Sequence, residues 1–143
     1  MIDLEKVGVP VIDADHQKLA AVAESLRRAL VQRADRVTVI SRMNELIDGM
    51  CDHNNLETLL MRSSHYKNSA AHRHDHNHFI FMLSALIVDY QVDQRPVIQE
   101  FDVLIKAWRT NHIRRFDQPL AEAIRTHSAR QTAPTPQAGN VLG

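Results

Sequence analysis

Apolar residues recur at intervals of three and four along four segments of the chain, which is the period of helices that pack on one side. The first helix is predicted to begin with Asp13 as its N-cap and to end near Arg33, while Ser69 and Pro96 are predicted to open the third and fourth. Pro119 either ends the fourth helix or starts a new short one. The apolar stripes are Leu19, Ala23, Leu26 and Leu30; Ile40, Met43, Leu46, Ile47, Met50, Leu60 and Met61; Phe79, Ile80, Leu83, Ile87 and Tyr90; and Phe101, Leu104, Ile105 and Trp108.

Four helices joined by short loops pack most simply as an antiparallel up-down-up-down four-helix bundle, so the predicted fold class is all-α. Glycine and proline are too rare within these segments for a fold rich in loops or hairpins. The bundle is expected to occupy residues 1–127. Residues 128–143 are polar, interrupted by proline and without period, and they are predicted to form a disordered tail or the stub of a linker.

The composition narrows the class of protein further. The 17 basic and 17 acidic side chains cancel to a formal charge of zero, so we expect no nonspecific binding to nucleic acid or to an anionic membrane. No run approaches the roughly 18 to 20 apolar residues of a membrane span, and the N-terminus lacks the layout of a secretory signal, so a cytoplasmic protein is predicted. The single cysteine, Cys51, excludes internal disulfides and paired-cysteine zinc sites, and it is predicted to be a small apolar filler.

Histidine is unusually frequent, with nine residues. In an up-down-up-down bundle, the start of the first helix, the end of the second, the start of the third and the end of the fourth meet at one end. His74 and His78 lie about 200° around the third helix from its inner face and are predicted to face solvent. Seven other residues occur where the four helices meet, on stripes that otherwise face the core, and they predict a metal site there: His16, His53, Glu57, His72, His76, His112 and Asp117.

The residue types of this layer favour iron. Unpaired buried polar groups cost about 1 to 3 kcal/mol each, so a bound ion must satisfy them. Imidazoles with two carboxylates and no thiolate suit iron, with zinc, manganese and copper less favoured. Seven ligands are too many for one ion, and they indicate two. His112 and Asp117 are five residues apart and would point about 140° apart on an α-helix, so the fourth helix is predicted to distort or stop between them.

The same residues resemble a known family. The motif IDADH around His16, the motif HNNLE with Met61 four residues later, Tyr66 six residues before HRHDH, and the motif WRTNHIRRFD are similar to the bacterial branch of the hemerythrin family. The resemblance covers about residues 8–125. It implies a non-heme diiron protein that binds O2 reversibly as a hydroperoxide at one iron, for carriage, storage or delivery, and that also accepts small ligands such as azide, NO or peroxide.

The resemblance also implies a role for each of the seven residues. Three histidines would hold a saturated iron, two would hold an iron with an open position, and the two carboxylates would bridge the irons beside an oxo or hydroxo group. The three histidines of the saturated iron would be His72, His76 and His112, and the two of the iron with the open position would be His16 and His53. The bridging carboxylates would be Glu57 and Asp117.

The chain departs from the family pattern at several positions. Asn54, Thr58 and Lys67 stand where the family commonly has an aromatic, an acid and a proline, and these changes are expected to affect packing more than ligation. Trp108 and Arg109 are candidates for the O2 pocket, and Arg109 stands where a leucine is common. Two alternatives remain open for Arg109. Its guanidinium either extends to water or reaches the mouth of the pocket, where it would attract anions and shorten the life of the O2 complex.

Three classes of function fit the same site. The leading one is an O2-binding protein, the second is a module that senses O2 or redox state for a signalling protein, and the third is a diiron peroxidase or NO reductase. A binding protein is favoured over an enzyme. Ferritin-like oxidases match less well because the chain has no Glu-x-x-His motif.

Overall fold

The computed structural model describes residues 2–93 and 96–134 of the chain, and within these ranges it contains helices and no strands. The backbone stays helical through the junctions near Trp108 and Asp117, so the last three elements form one continuous rod. The elements are α1 (Pro10–Val31), α2 (Arg36–Ser63), α3 (Ser69–Asp93), α4 (Ile98–Ala107), a π-helical segment (Trp108–Asp117) and α5 (Gln118–Thr132).

The helices pack as a four-helix bundle. Both α1 and α3 contact α2 on one side and α4 on the other, and α3 also contacts the π segment. The predicted all-α, antiparallel bundle is therefore confirmed. No helix in the described ranges is long and apolar enough to cross a membrane.

The first helix begins earlier than predicted. Pro10 is its first residue, where the missing N–H and restricted φ of proline suit the first turn, and Val9 is the N-cap. The prediction of Asp13 as N-cap is wrong. Its carboxylate instead accepts hydrogen bonds from the backbone N–H groups of Val7 at 2.8 Å and Gly8 at 3.1 Å, which hold the N-terminal arm against the start of α1.

The buried apolar residues form two clusters along the bundle. The larger contains most residues of the predicted stripes of all four helices. Leu60 and Met61 belong instead to the smaller, which joins the N-terminal arm to the start of α1, the end of α2, the π segment and the start of α5. On α1, His16 lies between Ile12 of the smaller cluster and Leu19 of the larger. The prediction of Cys51 as a buried filler is wrong, because the residue is exposed.

Of the two alternatives for Pro119, the structure agrees with the one in which it starts a new helix, and α5 follows the π segment without a break. Pro119 is near the start of α5, and the helix continues from there without a break to Thr132. Residues 128–132, predicted as the beginning of a disordered tail, are therefore helical. Residues 135–143 of the predicted tail lie outside the described residues.

Candidate metal centre

All seven predicted ligands are buried and lie in one layer. They come from α1, α2, α3 and the π segment, so every rod of the bundle contributes at least one. Their exposed fractions are 0% for His53, Glu57, His72, His76 and Asp117, 2% for His16 and 3% for His112.

The two carboxylate oxygens of Asp117 face histidines from different helices. Oδ2 lies 3.1 Å from Nε2 of His16 on α1. Oδ1 lies 2.9 Å from Nε2 of His72 on α3 and 2.9 Å from Nε2 of His112. The carboxylate therefore stands between the histidine of the first helix and two histidines of the third and fourth rods.

Glu57 approaches the remaining imidazoles from α2. Its Oε2 lies 2.9 Å from Nε2 of His72 and 3.2 Å from Nε2 of His76. The same oxygen lies 3.5 Å from Nε2 of His53, and Oε1 faces Nε2 of His16 at 4.0 Å. Each of the five histidines thus directs Nε2 toward one or both carboxylates.

These close approaches do not satisfy the atoms involved. The Nε2 atoms of all five histidines and both oxygens of each carboxylate are buried and have no hydrogen-bond partner among the described residues. Such atoms are costly unless a cation accepts their electron pairs. Five of these residues each offer one possible ligand atom, and the five atoms all lie within 4.8 Å of one another. The five residues are His53, Glu57, His76, His112 and Asp117. The donor set of imidazole nitrogen and carboxylate oxygen fits iron.

Two of the histidines are held from outside the layer by carboxylates. Nδ1 of His53 lies 2.6 Å from Oδ2 of Asp15, and Nδ1 of His112 lies 2.6 Å from Oδ2 of Asp75. The pattern of the sequence did not single out either acid. Each directly precedes a predicted ligand, in the motifs IDADH and HRHDH, and a step of one residue turns a side chain about 100° toward a neighbouring helix.

The other three histidines have weaker support at Nδ1. Nδ1 of His76 lies 3.1 Å from Oδ1 of Asn54, so this asparagine has a polar role rather than the packing role expected from the sequence. The Nδ1 atoms of His16 and His72 are buried without a partner among the described residues. His74 and His78 are exposed, in agreement with the prediction that they face solvent.

The buried charges of the layer shift one another's pKa values. Burial raises the pKa of the Glu57 carboxyl, but nearby imidazoles, chiefly that of His53, outweigh it and lower this pKa to about 2. Burial lowers the pKa of His112, yet the adjacent carboxylates, chiefly that of Asp117, raise it to about 9. Burial lowers the pKa of His76 to about 4. Without metal, the layer therefore balances its ionised carboxylates with protons on selected imidazoles.

Trp108 covers one side of the layer. Its ring centroid lies 5.6 Å from that of His16 and 5.9 Å from that of His53, both in edge-on contacts. A cavity of about 630 Å³ between α3 and α4 ends on Trp108 and on the Asp75–His112 pair. Arg109 is exposed, as expected for the alternative in which its guanidinium extends to water.

Comparison with known proteins identifies related chains. The family model described as the Hemerythrin HHE cation binding domain matches residues 7–124. A bacteriohemerythrin of Stenotrophomonas maltophilia (strain R551-3) is 28% identical over 137 residues, which cover 96% of this chain and 88% of that protein. A bacteriohemerythrin of Pseudomonas aeruginosa (strain LESB58) is 30% identical over 118 residues, which cover 82% and 76%. No solved structure gave a significant match.

Proposed function

Because this chain belongs to the hemerythrin family, we propose that it is a non-heme diiron protein that binds O2 reversibly, to carry, store or deliver it. The observation that carries the proposal is the buried layer of five Nε2 atoms and two carboxylates that lack hydrogen-bond partners among the described residues. Two ferrous ions, when bound, supply the electrons that reversible O2 binding requires.

In this proposal the histidines divide into a group of three and a group of two. Together with the two carboxylates and an oxygen from solvent, the three would complete the ligands of one iron, whereas the two would leave the other iron with a free position. This division is what the family resemblance implies. The distances between ring centroids do not separate the two groups, because His53 and His76 are 4.8 Å apart, closer than His16 and His53 at 5.2 Å.

Asp117 and Glu57 are the proposed bridges. Asp117 is supported in this role because Oδ2 faces His16, of the group of two, while Oδ1 faces His72 and His112, of the group of three. Glu57 also faces both groups, since its Oε1 is directed at His16 and its Oε2 approaches His72 most closely.

Trp108 is the proposed wall of the O2 pocket. Its indole makes near-perpendicular ring contacts with both His16 and His53, the two histidines assigned to the iron with a free position. The side chain is 5% exposed, and an apolar wall at this place limits the access of water to the pocket. Arg109 is exposed, as expected for a guanidinium that extends to water, and this alternative favours a carrier over a sensor or peroxidase that releases reduced oxygen.

The test is to load the purified chain with Fe(II) without air, determine iron per chain, and record the optical spectrum before air, after air and after removal of O2. Two irons per chain and a charge-transfer band that appears and disappears reversibly are expected. An irreversible change would contradict O2 carriage, and steady-state consumption of peroxide or NO would assign the protein to the enzymes. The cytoplasmic location expected from the sequence stays a prediction.

A further inference from the structure

We infer that Asp15 and Asp75 are positioning residues for the metal centre, and that their charges favour its oxidised state. Each carboxylate fixes one histidine of a different group, His53 in the group of two and His112 in the group of three. The inference rests on the proposed diiron function, because the effect it describes is exerted on bound iron.

The two contacts have the same geometry. Both Nδ1 to Oδ2 distances are 2.6 Å, short for a hydrogen bond and typical of one to an ionised acceptor. When Nδ1 donates its proton to aspartate, Nε2 keeps its lone pair and faces the buried layer. The carboxylates therefore select the tautomer that can bind a metal and make that nitrogen a stronger donor.

The pairs also join the four rods two by two. Asp15 on α1 reaches His53 on α2, 38 residues away, and Asp75 on α3 reaches His112 on the π segment, 37 residues away. The environments differ, since the side chain of Asp15 is 19% exposed and that of Asp75 is 40% exposed. The first pair is thus the more enclosed, and its charge is screened less by water.

The effect expected of Asp15 and Asp75 on the reduction potential follows from a count of the charges at the centre. Two ferrous ions carry four positive charges, of which the Glu57 and Asp117 carboxylates offset two. A hydroxo bridge would offset a third, so the charges of Asp15 and Asp75, which act through the imidazoles they contact, more than balance the one that remains. Oxidation of the irons adds positive charge, which nearby carboxylates stabilise, so both aspartates are expected to lower the reduction potential of the centre.

The chain contains a control for this inference. Asp52 directly precedes His53, just as Asp15 precedes His16 and Asp75 precedes His76, but its side chain is exposed. Substitution of Asp52 by Asn removes the same charge at an equivalent place in the sequence without removing a contact to a histidine ring.

The experiment compares Asp15→Asn, Asp75→Asn and Asp52→Asn with the parent chain. Asparagine can still accept the proton of Nδ1, so the fold is retained while the charge is lost. Asp15→Asn and Asp75→Asn should each weaken Fe(II) binding about 10- to 100-fold and raise the reduction potential of the iron-loaded protein. Asp15→Asn should also change the azide affinity of the oxidised protein more than Asp75→Asn, because azide is expected at the iron held by His53.

Two outcomes would overturn the inference. One is an unchanged potential and Fe(II) affinity in both variants, equal to those of Asp52→Asn. The other applies if the asparagine variants hold no iron. Asp15→Glu and Asp75→Glu retain the charge and are then expected to bind iron at a potential near that of the parent, so loss of iron in these glutamate variants as well would overturn the inference. A parent chain that binds no iron pair would instead contradict the proposed function.

Discussion

The carboxylate of Asp117 lies 2.9 Å from Nε2 of His112 although the two residues are five positions apart in one helix. On an α-helix they would point about 140° apart. The segment Trp108–Asp117 is a π-helix, whose bonds join residues five apart, and this wider turn brings the two side chains into the same layer. The distortion predicted from the spacing is therefore a change of hydrogen-bond register rather than a break. The π-helical turn is rare in proteins and frequent at functional sites.

Loss of a single inner histidine should empty the centre, whereas loss of an outer one should not. His76 is fully buried in the layer and His74 is exposed. We expect His76→Ala to lose most bound iron and the charge-transfer band, and His74→Ala to keep both. Iron per chain and the optical spectrum measure this. Loss of iron in His74→Ala would contradict the orientation of α3 in which His76 faces the layer and His74 faces solvent.

Iron should stabilise the folded chain. Metal-free protein must bury five imidazoles and two carboxylates that only protons on some of the imidazoles balance, whereas bound ions satisfy the whole set. At a free Fe(II) concentration 100 times the dissociation constant, one site adds about 2.7 kcal/mol to the free energy of unfolding. Thermal unfolding of chelated and iron-loaded samples should therefore give a clearly higher midpoint for the loaded one, and equal midpoints would contradict the coupling.

The metal-free protein should lose stability as the pH rises from about 6.5 to about 9. The pKa of His112 is raised from 6.5 to about 9 in the folded state, so the folded state holds this proton more tightly than the unfolded state. The stabilisation is fully present below 6.5 and is lost as pH passes the folded value. Urea unfolding across this range measures it, and His112→Gln should flatten the dependence.

The lowered pKa of Glu57 has the opposite sign. Its value of about 2 in the folded state, against 4.5 ordinarily, means that its ionised form is stabilised by folding. This contribution is present above about 4.5 and is lost as pH falls toward 2. Metal-free Glu57→Gln should therefore unfold with a weaker dependence on pH below 4.5 than the parent chain. A parallel dependence in the two proteins would contradict the shift.

Substitution of Arg109 by leucine should leave the pocket unchanged. Arg109 is exposed, whereas its neighbour Trp108 is buried against His16 and His53. We expect Arg109→Leu to match the parent in the rate of autoxidation and in azide affinity at equal pH and salt. Trp108→Phe, which opens space beside the layer, should change both. Slower autoxidation together with weaker azide binding in Arg109→Leu would instead place the guanidinium at the mouth of the pocket.

The sequence by itself determined the helical class, the pairing of apolar stripes and the set of buried polar residues at one level of the bundle. Periodicity suffices for this because His16, His53, His72 and His112 each continue a stripe that must face the core. A polar residue on such a stripe is buried whatever the finer packing, so its need for a polar partner follows from position, and the gathering of seven such residues at one level indicates a metal site.

Only the tertiary structure decided which side chains support those residues. The contacts of Asp15 with His53 and of Asp75 with His112 join positions 38 and 37 residues apart, and they depend on how each helix is rotated about its axis. A step of one residue changes the direction of a side chain by about 100°, so the sequence alone does not distinguish Asp15 and Asp75 from the exposed Asp52. The same rotation exposes Cys51 and Arg109, because packing of the neighbouring helices sets which side of each helix is covered.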